Sequence, residues 1–139
     1  MLVAILVDTS ALFAVADAAS LDHVAMRDFV THAHETLLVP VTLLPEADYL
    51  ITTRLGGQVA RAMLRSILDG ELRVEHLTRA DLERCWELMD QYADSALGLV
   101  DGSIIALAER LRITRVLTLD QRHFRFVRPR HCAAFEVVP

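Results

Sequence analysis

Six consecutive apolar residues, Leu2–Val7, end abruptly at an acid, Asp8. A strand covered on both faces reads this way, and such strands belong to parallel sheets. Leu37–Val41 and Ile113–Leu119 predict two more strands. Leu72–Leu77 alternates as a short edge strand does, and Phe135–Val138 predicts a fifth strand. Between the strands the apolar period lengthens to that of a helix. Helices are expected over Ala11–Ala18, Leu21–His34, Leu43–Leu55 and Gln58–Leu68, with a break at Gly56-Gly57. Another ends near Tyr92, and a last one turns Ile104, Leu107, Ala108 and Leu111 inward. Thr9 or Ser10 is suited to cap the first helix, and Thr42 the helix with Pro45 in its first turn. Thr78 and Asp81 have capping-box spacing, ahead of a core face of Leu82, Cys85, Trp86 and Met89. Strands alternating with helices predict one domain over residues 1–139, an α/β fold in three α/β/α layers around a mostly parallel sheet of about five strands.

Composition narrows the class. Of 139 residues, 53% are apolar, which excludes a disordered chain, and no apolar run approaches the length of a membrane span. The first residues lack a basic flank and a small-residue cleavage site, so they read as a strand and not as a leader. The two cysteines, Cys85 and Cys132, fit a reducing cytoplasm better than a disulfide scaffold, and Cys85 is expected to be a buried, inert thiol. All fourteen basic residues are arginine, with no lysine anywhere. Residues 1–100 carry seven arginines against fifteen acids, whereas 101–139 carry seven against four. The net charge of −5 argues against nucleic-acid binding by bulk charge, and leaves room for an acidic pocket beside a basic strip.

Ligands of open parallel sheets sit beyond the carboxyl ends of the strands. Asp8 follows the first strand, Glu46 lies in the first turn after the second, Asp101 opens the helix before the fourth, and Asp120 follows the fourth. Each alone suits a turn or a helix start. Together, four acids at equivalent positions predict a carboxylate cluster that a hard divalent cation would neutralise. A dinucleotide site and a P-loop both lack their glycines or lysine here, and no nucleophile elbow is present.

Leu6-Val7-Asp8-Thr9-Ser10-Ala11-Leu12 resembles the opening motif of PIN-domain ribonucleases. Glu46 stands where that family has its second acid. Gly98–Ala108, with Asp101 near its start, resembles the third motif, and Leu117–Phe124, with Asp120, the fourth. Order and spacing resemble the VapC-type toxins of bacterial toxin–antitoxin pairs over essentially the whole chain. The resemblance implies a PIN-like sandwich and an endoribonuclease dependent on Mg²⁺, with Mn²⁺ as a substitute. Asp8, Glu46, Asp101 and Asp120 would form the metal site, with Thr9 or Ser10, and Thr118, in supporting roles. It also implies a homodimer, a cognate antitoxin over the active-site groove, and a structured RNA substrate, a tRNA or rRNA loop. Water attack at phosphorus would leave a 5′-phosphate and a 3′-hydroxyl. Gly102 departs from the alanine common in relatives and loosens that helix start.

Arg122, Arg125, Arg128 and Arg130, beside the fourth acid, are expected to contact RNA phosphates or to form a solvated loop. Phe124 and Phe126 read as core anchors, Trp86 as core, and His123 as structural. Asp94 is a further candidate for the acidic rim. The second and third functional readings are a catalytically silent PIN-like RNA- or protein-binding module and a PIN-like DNA nuclease; the latter is usually larger.

Overall fold

A computed structural model describes residues 3–139. Leu2, the first residue of the expected opening strand, lies outside them; β1 spans Ala4–Val7. The chain continues through α1 (Thr9–Ala16), α2 (His23–His32), β2 (Thr36–Pro40), α3 (Leu44–Leu55), α4 (Gly57–Leu68) and β3 (Arg73–Glu75). It ends through α5 (Arg79–Gln91), α6 (Leu99–Leu111), β4 (Arg115–Leu117), α7 (Gln121–Phe126) and β5 (Glu136–Val138). The five strands form one sheet in the order β3-β2-β1-β4-β5, and every pairing is parallel. The predicted α/β sandwich is therefore the observed one, and β3 is the edge strand expected near Leu72–Leu77.

The unbroken apolar run of β1 is explained by its two covered faces. Ala4 and Leu6 enter a core shared with α5, α6 and α7, where Leu88, Ile104, Ile105, Leu107 and Phe124 are buried. Ile5 and Val7 enter a second core shared with α1 to α4, where Leu12, Met26, Leu43 and Ala47 are buried. β2 divides the same way, Leu38 to one core and Leu37 and Val39 to the other. One residue of slip would exchange the two sets, so the register is held from both sides.

Several local expectations change. The cap of α1 is Asp8, whose carboxylate accepts the Thr9 N–H at 2.8 Å, so neither Thr9 nor Ser10 is free to cap and the helix starts two residues early. Thr42 caps nothing, because a 3₁₀ turn over Val41–Leu43 intervenes. Gly56 joins α3 to α4 at φ +99°, a conformation that favours glycine. The Thr78–Asp81 capping box is present, with both bonds made at 2.9 and 3.1 Å. It does not set the face that the apolar pattern named. Trp86 is 68% exposed and Leu82 49%, while Asp81, Cys85 and Leu88 point inward. The cause is an ion pair: Arg110 of α6 donates to Asp81 at 3.0 and 3.1 Å, turning that acid to the α6 side. Phe126 also departs from expectation, packing on Tyr92 near the surface, while Phe124 is fully buried edge-on to Phe135. Cys85 is buried as expected, and burial pushes its thiol further up. No helix among the described residues is long and apolar enough to cross a membrane.

Candidate active site

β1 leads to its neighbour β2, whereas the chain returns after β3 to β4 on the other side of β1. The two connections part at the carboxyl ends of β1 and β4, the place where open parallel sheets form a crevice. A cavity of about 630 Å³ opens there. Asp8, Thr9, Ser10, Glu46, Asp101 and Asp120 all line it. All four predicted acids therefore face one space, though they are not equally close.

Asp8 is held at the end of β1 by its own N–H, which donates to the Leu117 carbonyl at 3.0 Å and closes the β1–β4 ladder. One carboxylate oxygen accepts from Thr9 N and the other from the Thr118 hydroxyl, both at 2.8 Å. Thr118 has one hydroxyl hydrogen and spends it on Asp8, so Ser10, 3.2 Å away, must be the donor to Thr118 Oγ1. Ser10 in turn accepts the Leu119 N–H at 3.0 Å, and Thr118 Oγ1 accepts the Asp120 N–H at 2.9 Å. The expected supporting residues Ser10 and Thr118 thus form a hydroxyl relay that fixes Asp8 against the loop carrying Asp120.

Asp101 stands in the first turn of α6 and accepts a long bond, 3.4 Å, from Gly98 N. Asp120 is the N-cap residue of α7, a short helix that the apolar pattern does not predict. Burial raises the pKa of Asp8, against the hydroxyl and amide bonds that lower it, and Asp120 adds repulsion. Burial also raises that of Asp101, with repulsion from Asp8 and Asp120 opposed by His123. These carboxylates resist ionising together, the state that a bound cation relieves.

The tightest set of donor atoms among the described residues is Asp101, Asp120 and His123, all within 4.8 Å of one another. His123 Nδ1 lies 3.1 Å from Asp120 Oδ2 and 3.5 Å from Asp101 Oδ2. From the sequence His123 reads as structural; the signal that places it beside the acids is its i,i+3 spacing from Asp120 on a short helix. Asp8 and Glu46 line the cavity but lie outside this tight set, Glu46 exposed on the α3 wall. Thr9 lines the same cavity, and its buried Oγ1 has no hydrogen-bond partner. Hard carboxylate oxygens, a spare hydroxyl oxygen and raised carboxyl pKa values fit a divalent cation of the Mg²⁺ or Mn²⁺ type.

The basic strip is divided. Arg130 turns away: its N–H donates to Glu109 at 2.9 Å and its guanidinium to Glu87 at 3.0 Å, on the α5–α6 flank. Arg122, Arg125 and Arg128 are exposed and do not line the cavity. The arginine that does is Arg54, with its guanidinium 5.6 Å from the centre of the Phe13 ring. Glu46, Leu50 and Arg54 are spaced by four along α3, so one helix face carries all three to the cavity. Asp94 is exposed and does not line the cavity.

A five-stranded parallel sheet with charge-coupled acids at its crevice defines an acidic α/β domain of the PIN type. The PIN domain matches residues 5–128, and the chain belongs to that family. It is 35% identical over 134 residues to ribonuclease VapC26 of Mycobacterium tuberculosis, covering 96% of this chain and 99% of the relative. Its fold matches the crystal structure of VapC20 from the same organism, described as a sarcin–ricin-loop-cleaving toxin. That match has a TM-score of 0.79 at 24% identity and covers 86% of this chain and 92% of the other. A DNA-bound VapBC structure from Salmonella typhimurium matches with a TM-score of 0.67 at 17% identity, covering 99% and 98%.

Proposed function

We propose that this chain is a metal-dependent endoribonuclease, the toxin of a toxin–antitoxin pair, acting in the cytoplasm. The observation that carries the reading is the convergence of Asp8, Asp101 and Asp120, mutually repelling, on the crevice of a PIN fold whose full-length relative is a ribonuclease. Asp8, Asp101 and Asp120 hold the ion, and Glu46 faces them across the cavity. When bound, Mg²⁺ or Mn²⁺ supplies charge neutralisation at phosphorus and activates water. The Ser10–Thr118 relay keeps the Asp8 carboxylate in one orientation while substrate enters. Arg54 meets a backbone phosphate at the cavity wall, and Arg122, Arg125 and Arg128 extend the contact outward. One carboxylate accepts the proton of the attacking water, and cleavage leaves a 5′-phosphate and a 3′-hydroxyl.

The substrate class is a structured RNA loop, of rRNA or of tRNA; VapC20 is described as cleaving the sarcin–ricin loop. The partner is a cognate antitoxin, as in the VapBC assembly, seated over the acidic cavity. α3 and α4 present Tyr49, Leu64 and Leu68 to solvent, an apolar surface suited to that antitoxin or to a homodimer contact.

The test is cleavage of total tRNA and of rRNA by the purified chain, free of antitoxin, in Mg²⁺, Mn²⁺ or EDTA. Discrete metal-dependent fragments with 5′-phosphates are expected. Asp8→Asn keeps the shape and removes the charge, and should lower the rate by at least about a hundredfold. Equal cutting by wild type and variant, or cutting in EDTA, would overturn the reading.

A further inference from the structure

His123 is held by both of its ring nitrogens. Nε2 lies 3.0 Å from the carbonyl oxygen of Ser95, and a carbonyl oxygen only accepts. Nε2 must therefore carry a proton and donate it. In the neutral ring this leaves Nδ1 bare, with its lone pair directed at Asp120 Oδ2 and Asp101 Oδ2. Nδ1 and the two carboxylate oxygens need a positive centre between them: a second ring proton, which makes the 3.1 Å contact with Asp120 a hydrogen bond, or a metal ion in its place. The ring cannot turn away cheaply, because its side chain is only 12% exposed and packed against Phe126.

We infer that His123 Nδ1 is a nitrogen ligand of the divalent ion at this site, bound together with Asp101 and Asp120, and that it shifts the preference of the site from Mg²⁺ toward Mn²⁺. Three arguments support this beyond the acids themselves. Two donors at right angles, each about 2.1 Å from an octahedral ion, lie about 3.0 Å apart; the observed separations of 3.1 and 3.5 Å are of that size. A metal-binding histidine characteristically donates its other N–H to a carbonyl or carboxylate, which fixes tautomer and ring angle, and Ser95 does this here. Thr9, whose buried Oγ1 has no hydrogen-bond partner, lines the cavity that Asp101 and Asp120 also line. Imidazole nitrogen is a softer donor than carboxylate oxygen, so it favours transition-metal ions over Mg²⁺, whereas a site of oxygen alone would not.

The inference rests on the metal site proposed above, and the experiment separates the two. The probe is Mn²⁺ alone, added to the purified full-length chain without RNA. Pulsed electron paramagnetic resonance should show one ¹⁴N coupling on bound Mn²⁺. Labelling the wild-type chain with ¹⁵N-histidine should convert that coupling to the ¹⁵N pattern, which needs no variant and no assumption about folding. His123→Gln should abolish the coupling, weaken Mn²⁺ binding by at least about tenfold and leave Mg²⁺ binding much less changed. Unfolding of the variant in EDTA, compared with wild type, shows that the fold is retained. Mn²⁺ bound without any histidine nitrogen coupling would overturn this inference and leave the carboxylate site standing, with His123 merely bracing Asp120. Absence of Mn²⁺ binding by the wild-type chain would overturn both.

Discussion

Asp8 caps α1 with one carboxylate oxygen, takes the Thr118 hydroxyl on the other and lines the cavity, and burial makes its charge costly. It and Asp101 are both harder to ionise folded than unfolded. The folded chain therefore keeps these protons at a pH where the unfolded chain, near the ordinary value of 3.8, has released them. Their contribution to stability is fullest below that value and is lost as pH rises through the raised folded values. In EDTA, urea titrations at a series of pH values should show Asp8→Asn gaining stability relative to wild type as pH rises above the ordinary value of 3.8. Saturating Mn²⁺ should reverse that ranking, since the cation then does the proton's work in the wild-type chain only. At Gly102 an added Cβ meets the Cys85 side chain at 3.4 Å, ordinary contact. Gly102→Ala should stabilise the protein by about 0.5 kcal/mol, read as a small rise in Tm, because α6 gains helix propensity without a clash.

At the scale of elements, α5 shows where patterning misleads. Leu82, Cys85, Trp86 and Met89 form a plausible apolar stripe by residue type, yet the helix is rotated so that Asp81, Cys85 and Leu88 face inward. A buried acid paired with Arg110 outweighs an indole that can rest on the surface. Leu88→Ala should cost about 2–5 kcal/mol in denaturant unfolding, whereas Trp86→Ala should change stability by about 0.5 kcal/mol or less. Near-equal costs would show that the rotation described here is wrong. α7 was illegible for a different reason. Its six residues are too few for a period to emerge, and three of them are basic. It exists because Phe124 and the following Val127 are buried in the α5–α6 core.

At the scale of the molecule, the two cores lock β1 and β4 edge to edge and so bring together acids more than ninety residues apart in sequence. That arrangement is stable only as far as its repulsion is compensated. Mn²⁺ that binds the folded chain and not the unfolded one should stabilise it by mass action, about 2.7 kcal/mol at a hundred times its Kd. A Tm that rises with Mn²⁺ and falls back with EDTA is the expected outcome; a flat response would mean that the acids hold no ion.

The sequence by itself determined the strands, most of the helices, the Thr78–Asp81 cap and the four acids at strand ends, because each is written in local spacing or in a motif. The parallel sheet followed from strands apolar throughout their length, which must be covered on both faces. Only the tertiary structure decided that Asp101, Asp120 and His123 form the tightest set while Asp8 and Glu46 line the cavity outside it. It alone decided that Arg54 reaches the cavity while Arg130 is held on the far flank by Glu87 and Glu109. Those outcomes depend on strand order and on which ion pairs form across elements. Neither leaves a periodic trace along the chain.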